Sequence, residues 1–202
     1  SQILQTTVIV SILASMVRIA APILLAGLGE LVSEKAGILN LGVEGMMLTG
    51  CFVSFVVMSL TQSMPLALLI ASLSGAVMGL LMVFLAATMK VDQVVTGLAL
   101  NLLASGLTFY LYRVVFSSTG VTPTITTMKA VSIPLLSQIP ILGEVFFNQH
   151  TLTYFAFLMV PAIWFFLNKT KYGLEIRCLG EDPRSIDIKG IKVTRHQYLA
   201  VL

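Results

Sequence analysis

The chain has 202 residues, of which 57% are hydrophobic and only 10% charged, with a formal net charge of +3. A soluble domain carries about 25% charged residues, so this composition cannot cover a water-facing surface and calls for a bilayer. The basic excess forms no arm and no aromatic-basic face, so membrane lipid is an expected partner and nucleic acid is not.

A membrane-spanning helix needs roughly 20 mostly apolar residues, because the hydrocarbon core is about 30 Å thick and a helix rises about 1.5 Å per residue. Five runs meet this need: residues 8–28, 41–60, 65–89, 93–112 and 151–167, with a sixth beginning at Tyr198. None shows the period-two alternation of barrel strands. The expected fold is all-α, a polytopic transmembrane helical bundle forming one domain over residues 1–202.

The first run holds a single charge, Arg18, and a proline, Pro22, that predicts a kink. After it comes the most informative stretch, LGELVSEKAGILNLGVEGMMLTG (Leu28–Gly50). It places Glu30, Glu34, Lys35, Asn40 and Glu44 among five glycines, between two spans. Ionisable groups at membrane depth are costly and face a protein interior or a water-filled cavity. Glycine weakens helix interiors by about 1 kcal/mol. Together they predict a broken helix near residues 36–46 whose freed backbone groups line a cavity. Glu30, Glu34 and Lys35 read as an inner turn. A helical register after Gly37 would put Asn40 and Glu44 on one face, four residues apart.

In the third run Ala71, Gly75 and Gly79 recur every four residues, a spacing that lets another helix approach closely. In the fourth, Asn101 is the most polar interior residue and is placed to bond another helix or meet a solute. The segment Ser117–Asn148 is rich in Ser, Thr and Pro and contains the apolar IPLLSQIPILG (Ile133–Gly143), read as an interfacial or re-entrant piece.

Between Lys169 and Arg195 stand seven Lys or Arg and four Asp or Glu, so this loop holds the whole net charge of +3. The positive-inside rule places loop 168–197 in the cytoplasm and residues 117–148 outside. The loop contains a punctuated short helix. Asp182 serves as N-cap, Pro183 takes the first helical position and Gly190 ends it. Arg184, Ser185, Ile186, Asp187, Ile188 and Lys189 lie between. Two turns cannot hold together alone and require something to pack against.

The two cysteines, Cys51 in a span and Cys178 in the loop, read as apolar fillers, since topology keeps them from pairing. His150 and His196 lie on opposite sides of the membrane, so no metal site is expected. No G-x-x-x-x-G-K-[ST] is present to cradle ATP, and no catalytic constellation is evident, so the chain is not expected to be an enzyme or to hold a cofactor.

SEKAGILNLGVEGMMLTG (Ser33–Gly50), KVDQVVTGLALN (Lys90–Asn101), IPILG (Ile139–Gly143) and GEDPRSIDIKGI (Gly180–Ile191) together resemble, in order, permeases of ABC importers for simple sugars, nucleosides and branched-chain amino acids. Glu in the N-x-G-x-E-G of Asn40–Gly45 is most similar to the nucleoside-type permeases that work with basic-membrane-protein lipoproteins. The resemblance implies a multi-pass permease of the cell membrane that takes nucleosides or related sugars. It implies a cytoplasmic ATP-binding subunit that uses the ATP, a second permease subunit and an extracytoplasmic solute-binding lipoprotein as partners. It also implies that Asp182–Gly190 is the coupling helix seated on the ATPase. Asn40, Glu44, Asn101, Glu34 and Glu30 are the expected pathway residues. Permeases of this family are longer, so the chain is expected to be C-terminally incomplete. The competing expectation is a proton-coupled secondary transporter using Glu44 or Glu34, which would need no ATPase.

Overall fold

The computed structural model describes residues 2–116, 125, 130–132, 145–183 and 193–202, with side chains omitted from the description at 2–7 and 130–132. Its helices are α1 (Gln2–Lys35), α2 (Val43–Thr61), α3 (Met64–Val83), α4 (Gln93–Phe116), α5 (Thr151–Lys169), α6 (Lys171–Glu181) and α7 (Val193–Val201). A π-helical turn, Phe84–Thr88, prolongs α3. Two short antiparallel strands, β1 (Ala130–Ser132) and β2 (Asn148–His150), pair Ala130 with His150. Apart from this ribbon and the connections between elements the described chain is helical, and five helices are long and apolar enough to cross a membrane.

The chain divides into two compact units. The first joins Ser1–Leu28 to Thr127–Phe165. Within it Gln149 is fully buried, and its side-chain amide donates to the carbonyls of Ala14 (3.0 Å) and Val145 (2.8 Å). The second joins Gly29–Thr126 to Phe166–Leu202. There α2 packs along α3 and α4, and Met78, Met82, Leu100 and Ala104, with Met46 against them, form the core. Large apolar side chains face outward instead, among them Leu60, Leu102 and Phe109, each at least 70% exposed. A surface of that kind is stable only against lipid or further protein.

The helices stand where the apolar runs predict them, with different ends. The first span does not stop at residue 28: α1 continues through Glu30, Glu34 and Lys35, so these are helical residues and not a turn. Gly29 inside it has nothing within 4 Å of its Cβ position and weakens the helix without breaking it. The last helix begins at Val193, earlier than Tyr198, and α4 runs on to Phe116. Of the small-residue series in α3, Gly79 lies against Val201 of α7 and the Ala71 carbonyl approaches Gly50 of α2. Gly75 faces open space. Cys51 and Cys178 are both exposed, so neither fills a core. The segments 133–143 and 184–190 lie outside the described residues.

Candidate functional site

Between α1 and α2 the backbone leaves the helix at residues 36–42. Helix α1 closes with a glycine cap. Gly37 adopts φ +80°, a conformation that side chains resist. Its N–H donates to the Glu34 carbonyl at 2.9 Å, and the N–H of Ile38 donates to the Ser33 carbonyl at 3.0 Å. This is the double bond of a Schellman motif, with Ile38 buried as its apolar pin.

Beyond Gly37 the chain has no helical partners for its N–H and C=O groups, each of which needs a partner where it is buried. Polar side chains satisfy them one by one. The N–H of Leu39 donates to Gln93 Oε1 (2.8 Å), and Gln93 Nε2 donates to the Gly37 carbonyl (3.3 Å). The N–H of Asn40 donates to Glu30 Oε1 (2.8 Å). Asn40 Oδ1 accepts from the N–H of Gly42 (3.1 Å). Asn101 Nδ2 donates to the Leu41 carbonyl (2.9 Å), and Asn101 Oδ1 accepts from the N–H of Gly45 (2.7 Å) at the start of α2.

Gln93 and Asn101 stand eight positions apart on α4, about 12 Å along its axis. The irregular segment therefore runs down the inner face of α4 into the bundle. Gly97, halfway between them, makes that possible: a Cβ there would lie 2.7 Å from Leu41 Cβ and 2.9 Å from the Leu41 carbonyl carbon. Gly45 is equally confined, with Asn101 Oδ1 at 2.9 Å and Ala104 Cβ at 3.0 Å from its Cβ position. Asp92 opens α4 by accepting the N–H groups of Val94 (2.9 Å) and Val95 (3.0 Å), an N-cap that fixes where the Gln93–Gly97–Asn101 face begins.

The structure thus brings Glu30, Asn40 and Asn101 into one network and leaves Glu34 and Glu44 outside it. Both of those are exposed, and no hydrogen bond reaches either carboxylate within the described residues. Asn40 and Glu44 do not share a helix face. The helix resumes only at Val43, so Asn40 is buried in the break while Glu44 points outward from the first turn of α2. Glu30 Oε2 is buried without a hydrogen-bond partner among the described residues. Gln93, Gly45 and Gly97 were not among the sequence candidates, although Gln93, Gly97 and Asn101 recur every four residues and mark a single helix face.

The same break is touched from the loop that follows α5. Thr170 caps α6, its hydroxyl donating to the Phe166 carbonyl (2.6 Å) and accepting from the N–H of Gly173 (3.0 Å). Gly173 abuts the backbone of Phe166 and Leu167, so the chain turns tightly into α6. Gly173, Ile176 and Leu179 form the buried face of that helix. At its end a Cβ on Gly180 would run into the Lys35 carbonyl, and Gly180 Cα lies 3.6 Å from the Cβ position of Gly37. Asp182 then adopts an extended conformation, its N–H donating to the Cys178 carbonyl (2.9 Å), and Pro183 is helical. The end of α1, the break and the root of the loop are therefore in direct backbone contact. Glu175 and His196 tie α6 to α7 at 3.0 Å, and Tyr198 meets Thr88 at 2.8 Å.

Residues 12–202 match the family described as branched-chain amino acid transport system / permease component. The chain is 40% identical over 195 residues to a Haloferax volcanii protein named "Putative glucose ABC transporter permease protein TsgC13", covering 95% of this chain and 58% of that one. It is 35% identical over 193 residues to the guanosine ABC transporter permease protein NupQ of Bacillus subtilis (91% and 60% covered). It is 34% identical over 198 residues to the nucleoside ABC transporter permease protein NupC of Lactococcus lactis (95% and 62% covered). The chain thus spans about three fifths of the length of these curated relatives. No solved structure matches it. With five membrane-length helices and a match running almost from end to end, this multi-pass membrane chain belongs to the branched-chain amino acid transport system / permease component family.

Proposed function

We propose that this chain is the membrane-spanning part of an ATP-driven importer that carries nucleosides or related simple sugars across the cell membrane. The family match over residues 12–202, with relatives named as guanosine, nucleoside and glucose permeases, carries the reading. The chain acts as a transport component, and ATP is consumed by a separate cytoplasmic subunit. A second permease subunit and an extracytoplasmic solute-binding lipoprotein complete the assembly.

The basic loop after α5 faces the cytoplasm. Its net +3 obeys the positive-inside rule, and the Gly180 contact puts Lys35 at the same end. Glu30, Asn40 and Asn101 brace the break as a rigid wall of the solute route. Glu44 and Glu34, both exposed, face its water. Asp182 and Pro183 lead into the ATPase-docking segment, with Arg184, Ser185, Ile186, Asp187, Ile188 and Lys189 as the docking turns and Gly190 as their end. Ile186 is an apolar knob among charges, and burying it is worth roughly 1.5–3 kcal/mol.

Purification of the complex tests this reading. A P-loop ATPase should co-purify with the wild-type chain, and Ile186→Asp should lower its recovery at least ten-fold while membrane insertion is unchanged. Full recovery with Ile186→Asp would remove the docking assignment. Absence of any ATPase from the wild-type complex would favour the proton-coupled alternative.

A further inference from the structure

Helix α3 does not end in regular geometry. Its prolongation, Phe84–Thr88, is π-helical, and the N–H of Met89 donates to the Phe84 carbonyl at 3.1 Å, five residues back. The N–H of Val91 reaches back six residues to the Leu85 carbonyl, also at 3.1 Å. Between them Lys90 adopts φ +55°, the left-handed region that side chains disfavour. Asp92 then caps α4, and Gln93 is its first residue. Two sparsely populated backbone conformations thus stand together just ahead of Gln93, and their surroundings must hold them.

Helix α7 supplies part of that hold. The Tyr198 and Thr88 hydroxyls share a hydrogen bond of 2.8 Å at the last residue of the π-turn. The Val201 carbonyl oxygen lies 3.4 Å from the Cβ position of Gly79, so α7 lies close against α3. Glu175 and His196, 3.0 Å apart, fasten α7 to α6, and α6 ends on Lys35 and Gly37 through Gly180. All of these residues belong to the second compact unit. The two helices that flank residues 182–192 therefore grip two different helices, each where its backbone leaves α-helical geometry. Both grips lead to one place, because Gln93 accepts the N–H of Leu39 and donates to the Gly37 carbonyl.

We propose that the π-turn is a joint with two registers and that Tyr198 is the positioning residue that sets it, giving the loop a second path to the break. In α-helical register the N–H of Met89 would bond the Leu85 carbonyl that Val91 now occupies. That change turns the residues beyond it by about 100°, one residue of helix, and draws Thr88 away from Tyr198. It also shifts Gln93 against Gly37 and Leu39. When the docked loop moves, α6 acts on Gly37 directly, and α7 acts on it through Thr88 and Gln93. The inference rests on the permease reading, which supplies the docked ATPase, but it can fail separately.

The complete complex with its ATPase carries the test. Tyr198→Phe removes one hydroxyl and keeps the ring. It should lower ATP-driven uptake about three- to ten-fold, while ATPase recovery and hydrolysis stay near wild type, so more ATP is consumed per solute carried. Thr88→Val should do the same, and the double variant should be no worse than either single one. Thr88→Ser, which keeps the hydroxyl, should transport as the wild type does. Hydrogen exchange at residues 84–93 should quicken roughly five-fold or more in Tyr198→Phe. Unchanged uptake per ATP in Tyr198→Phe, additive losses in the double variant, or unchanged exchange at residues 84–93 would each overturn the proposal. If the wild-type complex shows no ATP-driven uptake, the permease reading falls, and the exchange result still decides whether Tyr198 sets the π-turn.

Discussion

Replacing Gly97 by alanine is expected to lower the thermal midpoint of the detergent-solubilised protein by about 2–12 °C. The added Cβ would meet Leu41 Cβ at 2.7 Å, the Leu41 carbonyl carbon at 2.9 Å and the Gly42 nitrogen at 3.0 Å. Two of these are backbone atoms, which cannot swing aside as a side-chain tip can. Overpacking of this kind costs about 1–3 kcal/mol, and a chain of this size loses roughly 2–4 °C per kcal/mol. Any relief must push the break away from α4 and stretch both Asn101 bonds, now 2.9 and 2.7 Å. Gly97→Val should therefore abolish uptake as well. Gly75 supplies the control: nothing lies within 4 Å of its Cβ position, and alanine is the better helix former by about 1 kcal/mol. Gly75→Ala should hold or raise the midpoint. Equal midpoints for Gly97→Ala and Gly75→Ala would mean that the approach of the break to α4 is not close.

The second large effect is expected at Gly180. Its Cβ position collides with the carbonyl of Lys35, lies 3.1 Å from the carbonyl carbon and is 3.4 Å from the Gly37 nitrogen, so a valine must part α6 from the end of α1. The Schellman cap of α1 would be disturbed at the same moment, because Gly37 is one of its two donors. If the loop carries ATPase motion inward, this contact is where that motion first meets the membrane helices. Gly180→Val should keep the ATPase bound and hydrolysing while uptake falls at least ten-fold. Wild-type uptake in that variant would show that the contact transmits nothing. Loss of the ATPase itself would place Gly180 in docking instead of transmission.

The spans were legible because a run of about 20 apolar residues has few alternatives to crossing a bilayer. The break was legible from the same physics turned round: glycines and ionisable groups where a span should be continuous. Its exact course was not. Whether Gly29 or Gly37 ends α1 depends on φ, and only Gly37, at +80°, adopts the left-handed cap. The partners of the freed backbone lie 54, 56 and 60 residues away, on α4, and local periodicity carries no record of such pairings. The expectation that Asn40 and Glu44 would share a face failed for this reason. It assumed a helix where Asn40 instead bonds the backbone two residues ahead. Helix α6 was missed although its signals were present: Thr170 as N-cap, then Gly173, Ile176 and Leu179 at intervals of three. The charge-rich loop masked that short amphipathic face.

As proposed above, this chain forms the route of an ATP-driven importer for nucleosides or sugars. Its most direct test is uptake of labelled guanosine and glucose by vesicles containing the co-purified complex, with the solute-binding lipoprotein outside and ATP at the cytoplasmic face. At least one of these solutes should accumulate in a way that needs hydrolysable ATP and survives a protonophore. Uptake that ignores ATP and collapses with the proton gradient would contradict it.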